Sequence, residues 1–293
     1  IGVRLVGSEM CIRDRSILQI LSVNSLCSGS SVLRLGLVRS NKLKVIRRPD
    51  FFHSLGNRYK TCPISDSFFS SLMEYAFSPA DPRSVEVSGT IKRFPVHRIY
   101  CVGRNYAEHA REMGADPNRE QPFFFSKPPD AVVPDGSFLD YPAATQNLHQ
   151  EVELVVALAE GGSRIEREKA FEKIFGYAVG IDLTRRDLQS EAKKKEHPWD
   201  TGKGFDHSAP CGAINPASEI GHPRQGIISL EINGEPRQQG NLDQMIWGIP
   251  DMISILSGLF RLIPGDLIYT GTPAGVGPVL EGDMVQGLSL IHI

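Results

Sequence analysis

From His97 onward, apolar and polar positions fall into short repeating patterns that predict a succession of strands with a few helices between them. Arg98-Ile99-Tyr100-Cys101-Val102 reads as a strand ending at Gly103, and Asn105 to Met113 as a short helix. Asn105 is placed as its N-cap, Glu108 completes a capping box, and Gly114 sits where a C-terminal glycine belongs. Phe123-Phe124-Phe125 predicts an apolar strand stopped by Lys127 and Pro128. Asn147 to Leu158 predicts one strand closed by Gly161-Gly162, and Gly176 to Asp182 a second. The charged amphipathic stretch Ile165 to Ile174 lies between them. Thr184 and Asp187 make a capping box for a helix running from Arg186 to Lys195. Ile227 to Ile232, Asn233-Gly234 and Glu235-Pro236-Arg237 predict a hairpin, and Met245-Ile246-Trp247 a further short strand. Pro250 opens a helix whose apolar positions Ile249, Met252, Ile253, Leu256 and Phe260 have core spacing. Leu267-Ile268-Tyr269 then runs into the glycine-rich loop Gly271 to Pro278.

Strand alternation gives the segment 147–158 its chemical interest. Side chains of a strand point alternately to opposite faces, so His149, Glu151 and Glu153 share one face, while Val152 and Leu154 take the other. Two carboxylates about 7 Å apart repel, and burying them unpaired is costly. A bound hard cation such as Mg²⁺ or Mn²⁺ removes that cost, because such ions take oxygen ligands and leave positions open to water or substrate. The competing reading is a half-exposed strand whose polar face meets water.

Other candidates converge on the same picture. His109 and Glu112 are i and i+3 on the first helix, so the carboxylate can orient the imidazole as a general base; a plain surface helix carries the same pair. Asp182 stands at a strand end, with Arg186 and Gln189 on the first turns of the following helix, placed as a third ligand beside two anion-binding side chains. Lys193-Lys194-Lys195 reads as a cationic end complementing the helix dipole. Lys203 lies between Gly202 and Gly204, which allow close backbone approach, but the spacing of a phosphate-binding Walker loop is absent. Lys127 reads as a site cation or a solvated rim charge. The Thr272 hydroxyl and exposed backbone N–H groups of the glycine-rich loop form a seat for a carboxylate, with ordinary turn chemistry as the alternative.

Composition narrows the functional classes. The chain has 293 residues, 41% of them hydrophobic, and a formal net charge of −2, enough apolar material for a sizeable core and no footprint of a polyanion partner. This argues against a nucleic-acid binder. No apolar run reaches the roughly 20 residues of a membrane span. Cysteines at 11, 27, 62, 101 and 211 show no zinc or redox spacing and fit a reducing compartment, so the expected location is cytoplasmic. Residues 1–72 are Ser-rich, basic between Arg34 and Arg48, and lack periodicity. They are expected to lie outside the functional domain, as a mitochondrial transit-like segment or as translated flanking sequence, with the domain spanning 73–287 and a non-native tail at 288–293.

In order and spacing the motifs Gly103-Arg104-Asn105-Tyr106, Phe125-Ser126-Lys127-Pro128, His149 to Leu154, Gly180 to Asp187, Lys203 to Asp206 and Gly271 to Gly277 resemble the fumarylacetoacetate hydrolase superfamily. The acylpyruvase and fumarylpyruvate hydrolase branch is the most similar. The resemblance implies an α+β, mainly β fold, a mixed β-roll with flanking helices, assembled as a homodimer. It implies Mg²⁺ (or Mn²⁺) held by Glu151, Glu153 and Asp182, with His149 outside that shell. His109 and Glu112 would form a catalytic dyad on a mobile lid and Lys203 the catalytic lysine. Arg186, Gln189 and Thr272, with Lys127, would contact a small-molecule 2,4-diketo acid, which is hydrolysed to pyruvate and a carboxylic acid. Oxaloacetate decarboxylation or keto–enol tautomerisation on the same metal, and a catalytically silent metal- or carboxylate-binding protein, are the competing functions. The family normally continues for a strand or more beyond Gly287, so the last sheet element is expected to be missing.

Overall fold

The computed structural model describes residues 75–112 and 121–289. Expectations placed on residues 1–72, Met113, Gly114 and the last four residues lie outside them. By its contacts the chain divides into Ile1–Glu74 and Tyr75–Ile293, and the fold below is that of the second unit.

In chain order the first strands are β1 (Ser84–Glu86), β2 (Arg93–Pro95), β3 (Ile99–Gly103), β4 (Phe123–Lys127), β5 (Val132–Pro134), β6 (Leu148–Gln150), β7 (Val152–Leu158) and β8 (Ile174–Ile181). They are followed by β9 (Thr184–Arg185), β10 (Ala209–Cys211), β11 (Asn215–Pro216), β12 (Ile227–Ile232), β13 (Glu235–Asn241), β14 (Leu267–Tyr269), β15 (Gly277–Val279) and β16 (Val285–Ser289). The helices used below are α1 (Ala107–Glu112), α2 (Arg186–Lys194), α3 (Asp200–Lys203), α4 (Ala217–Ile220) and α5 (Ile249–Leu259). The main sheet runs β4-β3-β14-β7-β8-β10-β5, with β11 also on β8. β14/β3 and β10/β5 are parallel and the remaining pairs antiparallel, so the sheet is mixed. Smaller sheets, β13-β12-β16 and β15-β6-β9, complete a mainly β fold with few helices.

β7 organises the interior. All seven of its residues are buried, which excludes a strand with one face in water. Val152, Leu154, Val156 and Leu158 join one core with Ile228 and Leu230 of β12 and with Met252, Ile253 and Leu256 of α5. Val155 and Ala157 face a second core with Ile99, Cys101, Leu267 and Tyr269. Glu153 shares their parity, so its carboxylate is carried at the end of a dry face. On the other side β8 pairs with β7 in a register that sets Glu153 opposite Gly180 and Val152 opposite Ile181. The next backbone contact, Asp182 N–H to the Glu151 carbonyl at 2.8 Å, brings those two acids together.

Several local expectations change. The stretch 147–158 is two strands in different sheets, broken at Glu151, because the Val152 N–H donates to Gln238 Oε1 at 3.0 Å. Asn105 does not cap α1. It is fully buried, donates to the carbonyls of Trp247 (3.0 Å) and Thr270 (2.8 Å), and accepts from the Trp247 N–H (2.8 Å). Thr184 does not cap α2 either, since its hydroxyl donates to the Asp182 carbonyl and accepts from Lys203; Asp187 bonds instead to Thr145 and to the Gln146 N–H. Met245–Trp247 is no strand: Met245 makes one isolated bridge to Tyr106 after a turn of 3₁₀ helix, Leu242–Gln244. The 233–234 turn takes the two positive φ angles, 54° and 81°, that a two-residue hairpin requires. Beyond Gly287, Leu288 and Ser289 continue β16 against Ser229 and Ile228, so the ladder extends into the segment expected to be a tail.

Replacing Asn105 by Ala would remove the amide's bonds to the partly buried Trp247 backbone and to the buried Thr270 carbonyl. The expected loss is on the order of 2 to 4 kcal/mol, because buried donors and acceptors left without partners carry their full desolvation cost. Urea denaturation monitored by tryptophan fluorescence reads this directly, and an unchanged midpoint would show that water replaces the amide.

Candidate metal centre

Because β7 and β8 pair antiparallel, the first residue before β7 and the first after β8 are cross-strand neighbours, and Glu153 stands two residues along on the same face as Glu151. Glu151, Glu153 and Asp182 are all buried and can each present an oxygen within 4.8 Å of the others; they are the one such group among the described residues. His149 is not part of it. Its half-buried ring bonds Asn147 Oδ1 at 2.9 Å and lies 3.4 Å from Arg186 Nε, and burial and Arg186 push its pKa down to about 4.

Three buried cations face the three acids. Lys203 Nζ, on α3, reaches Glu151 Oε2 (2.8 Å), Asp182 Oδ2 (2.7 Å) and Thr184 Oγ1 (2.7 Å). The Arg186 guanidinium, at the start of α2, donates through Nη2 to Glu151 Oε1 and through Nη1 to Gln189 Oε1 at 2.6 Å. Lys127, expected at a rim or a substrate, has a wholly buried side chain. Its Nζ stands 2.8 Å from Asp182 Oδ1 but directs its hydrogens to the carbonyls of Leu183 and Lys203, leaving that oxygen an ion-pair contact without a directed hydrogen bond. It does not line the cavity, and belongs to the site through Asp182.

The compensation is uneven. Burial would raise the Glu151 pKa, but Lys203 and Arg186 overcome it and hold the carboxyl below its ordinary range. Burial would lower Lys203, but Asp182 and Glu151 raise it, so this group is an ammonium and no base. Glu153 is left short. Burial, then Asp182 and Glu151, push its pKa well up, and its one hydrogen bond comes from the Gly271 N–H at 2.7 Å. Gly271 has φ 95°, and a Cβ there would lie 2.7 Å from that of Asn105, so the residue that supplies the donor must be glycine. A buried acid with one donor among the described residues, beside an aspartate oxygen without a directed partner, suits a hard cation, and the all-oxygen donor set suits a divalent one.

An open cavity leads to Glu151 and Glu153. His109, Arg186, Gln189, Lys203 and Thr272 line it with Glu151 and Glu153, so seven of the ten sequence candidates meet there. His109 is buried, with Nδ1 at 3.3 Å from Glu112 Oε2. Glu112 is partly exposed, so it approaches the cavity through the imidazole and also faces the Gly275 N–H at 3.3 Å. The Thr272 hydroxyl accepts from Gln238 Nε2 at 2.8 Å. Sequence reasoning missed Gln238, which ties Thr272 to the start of β7, because a glutamine in a polar strand carries no signal. It also missed the aromatic wall of Phe123, Phe125 and Trp199, because the first two read only as part of an apolar strand and the third as part of a loop; the Phe123 and Trp199 rings meet edge to face at 5.4 Å.

Comparison with known proteins matches this geometry. The fumarylacetoacetate (FAA) hydrolase C-terminal family model fits residues 98–289. A fumarylpyruvate hydrolase of Ralstonia sp is 46% identical over 172 residues, 59% of this chain and 89% of that protein. A mitochondrial oxaloacetate tautomerase of Bos taurus is 45% identical over 189 residues, 64% of this chain and 85% of that one. The crystal structure of fumarylpyruvate hydrolase from Pseudomonas aeruginosa in complex with Mn²⁺ and pyruvate is similar at a TM-score of 0.72 and 53% identity, covering 74% of this chain and 94% of that chain. With its mixed β fold and with two thirds of its length inside the family match, the chain belongs to the fumarylacetoacetate hydrolase family.

Proposed function

We propose that the protein is a divalent-metal-dependent hydrolase that cleaves a carbon–carbon bond of a 2,4-diketo acid, an acylpyruvate or fumarylpyruvate, to pyruvate and a carboxylic acid. The observation that carries the reading is the meeting of the buried Glu151, Glu153 and Asp182 with the His109–Glu112 pair across one cavity, in a chain 53% identical to a hydrolase that holds Mn²⁺ and pyruvate. Glu151, Glu153 and Asp182 would hold Mg²⁺ or Mn²⁺, and such an ion supplies an acceptor for the negative charge that develops on the 2-keto oxygen. We place the protein in solution as a homodimer acting on a small molecule in the cytoplasm. No helix of the described residues is long and apolar enough to cross a membrane.

The chain's own residues divide the remaining work. With Nδ1–H directed at Glu112, His109 presents Nε2 as a base, which takes a proton from water as its oxygen attacks the C4 carbonyl. The C3–C4 bond then breaks, its electron pair passing to the pyruvate fragment. The proton held on His109 returns to C3, so atoms and charge balance. Lys203, an ammonium held between two carboxylates, lies on the cavity wall, where it stabilises charge on a substrate oxygen. Arg186 and Gln189 are bonded to each other and present their remaining donors to the substrate carboxylate, with Thr272 opposite.

Keto–enol conversion of oxaloacetate is a second reading, favoured by the 45% identity to an oxaloacetate tautomerase. It needs proton transfer at carbon but no attacking water. His109→Gln is therefore expected to lower diketo-acid hydrolysis by about 10²- to 10⁴-fold, the usual contribution of acid–base catalysis. Loss of diketo absorbance and release of pyruvate are followed together. Absence of turnover of every diketo acid by the unaltered protein, with oxaloacetate tautomerised, would replace the first reading by the second.

Metal binding gives a signed test of Glu153. With chelator present, Glu153→Gln is expected to melt no lower than the unaltered protein, since burial, Asp182 and Glu151 already oppose ionisation of that carboxyl and the amide carries no charge. With Mn²⁺ at about a hundred times its Kd, the unaltered protein gains about 2.7 kcal/mol of stability and the variant gains almost none. An equal Mn²⁺ shift in both proteins would remove Glu153 from the site, and His149→Ala is expected to keep the full shift.

A further inference from the structure

The mechanism above leaves two basic cavity residues without a role, Arg104 and Lys193. We infer that they form a second anion subsite, which makes this protein select diketo acids with a carboxylate at both ends over those ending in an acyl chain. The inference rests on the hydrolase reading for the identity of the substrate, and on the cavity alone for the anion preference.

Placement is the first argument. Arg104 has φ 55°, in the left-handed region that side chains with a Cβ rarely adopt, and strained residues of this kind concentrate at ligand sites. Gly103 before it has no room for a side chain, since a Cβ there would lie 2.0 Å from the Phe123 ring. The turn thus lays the Arg104 guanidinium over that ring, 5.6 Å from its centroid, where the aromatic wall of the cavity holds it. Lys193 comes from the other side. It follows Arg186 by seven positions and Gln189 by four on α2, so all three share one helical face, and all three line the cavity.

Charge is the second argument. Some basic side chains near the surface have acids beside them, as Lys195 has Glu191, on the same helix, at 2.6 Å, and Lys173 has Glu160 at 2.7 Å. Among the described residues neither Arg104 nor Lys193 has a carboxylate in hydrogen-bond or ion-pair contact. Instead they face each other and Arg186, and partial burial followed by the repulsion of Arg104 and Arg186 lowers the Lys193 pKa. The inner site does not need them, because Lys127, Lys203 and Arg186 already match Glu151, Glu153 and Asp182 in number. Two further cations, kept together at some cost, are satisfied by an anion that arrives with the ligand. A diacid with one end at the inner site and its far carboxylate between Arg104 and Lys193 supplies it.

Calorimetry on the Mn²⁺-loaded protein tests this with 2-oxoheptanedioate and 2-oxoheptanoate. These probes match in length and differ in the distal carboxylate, and neither has the 4-keto group that hydrolysis needs. The unaltered protein is expected to bind the diacid at least about tenfold more tightly, the scale of one charge-assisted hydrogen bond. Arg104→Asn with Lys193→Gln should remove that preference while leaving the monoacid within about twofold, and Arg104→Lys should keep most of it. If Arg104→Asn impairs folding, Lys193→Gln alone, on an exposed helix position, is still expected to weaken the diacid about threefold. Equal affinities in the unaltered protein, or equal weakening of both probes in the variants, would overturn the subsite. Absence of diketo-acid hydrolysis with the binding preference intact would support the subsite and sink the reaction.

Discussion

The pairing of β7 with β8 is the constraint on which the site depends. Both strands are buried for most of their length, so their register cannot slip without moving Val152, Leu154 and Val156 out of one core and Val155 and Ala157 out of the other. A register fixed by apolar packing thus sets the separation of Glu151 and Asp182, and strand parity adds Glu153. The cost falls on the acids. Three carboxylates are brought together where water cannot screen them, and no rotamer change moves them apart without leaving the strand ends.

The surrounding cations follow from that cost. Lys127, Lys203 and Arg186 come from three separate elements, β4, α3 and α2, and each meets at least one of the acids. Buried ion networks seldom add net stability over apolar packing, but breaking one partner out of them is expensive. The network is therefore a device that keeps Glu151 ionised and holds the acids in place. It does so incompletely at Glu153, and this shortfall makes the centre receptive to a divalent ion.

Much of this was legible in the sequence, where the signal was local. The parity of Glu151 and Glu153, the position of Asp182 at a strand end, the i, i+3 relation of His109 and Glu112, and the hairpin at Asn233-Gly234 follow from strand, helix and turn geometry, and the fold class followed from the family resemblance. Readings failed where a distant partner outbid a local motif. Asn105 and Thr184 have the sequence context of caps, but Trp247 and Thr270 take the first and Lys203 the second. Gln238, more than eighty positions away, helps to end β6 and β7 as separate strands. Lys127 left both readings open, because nothing in Phe-Ser-Lys-Pro tells a buried ammonium from a solvated one.

The acids and His109, the proposed base, differ in how firmly they are held, and that difference bears on how the site works. Glu151 and Glu153 sit at the entry to a fully buried strand and Asp182 next to them, so the metal-competent group is part of the rigid core. His109 is carried on α1, a helix of six residues with few buried side chains of its own, and Glu112 ties it to the Gly275 N–H at 3.3 Å, at the long end for a hydrogen bond. Were so short a helix to shift, the carboxylates behind it would not have to move. The electrophile would then be pre-formed, while the base takes up its place with the substrate. Such a division lets one scaffold support either water attack or simple proton transfer, according to how closely His109 is brought to the bound acid.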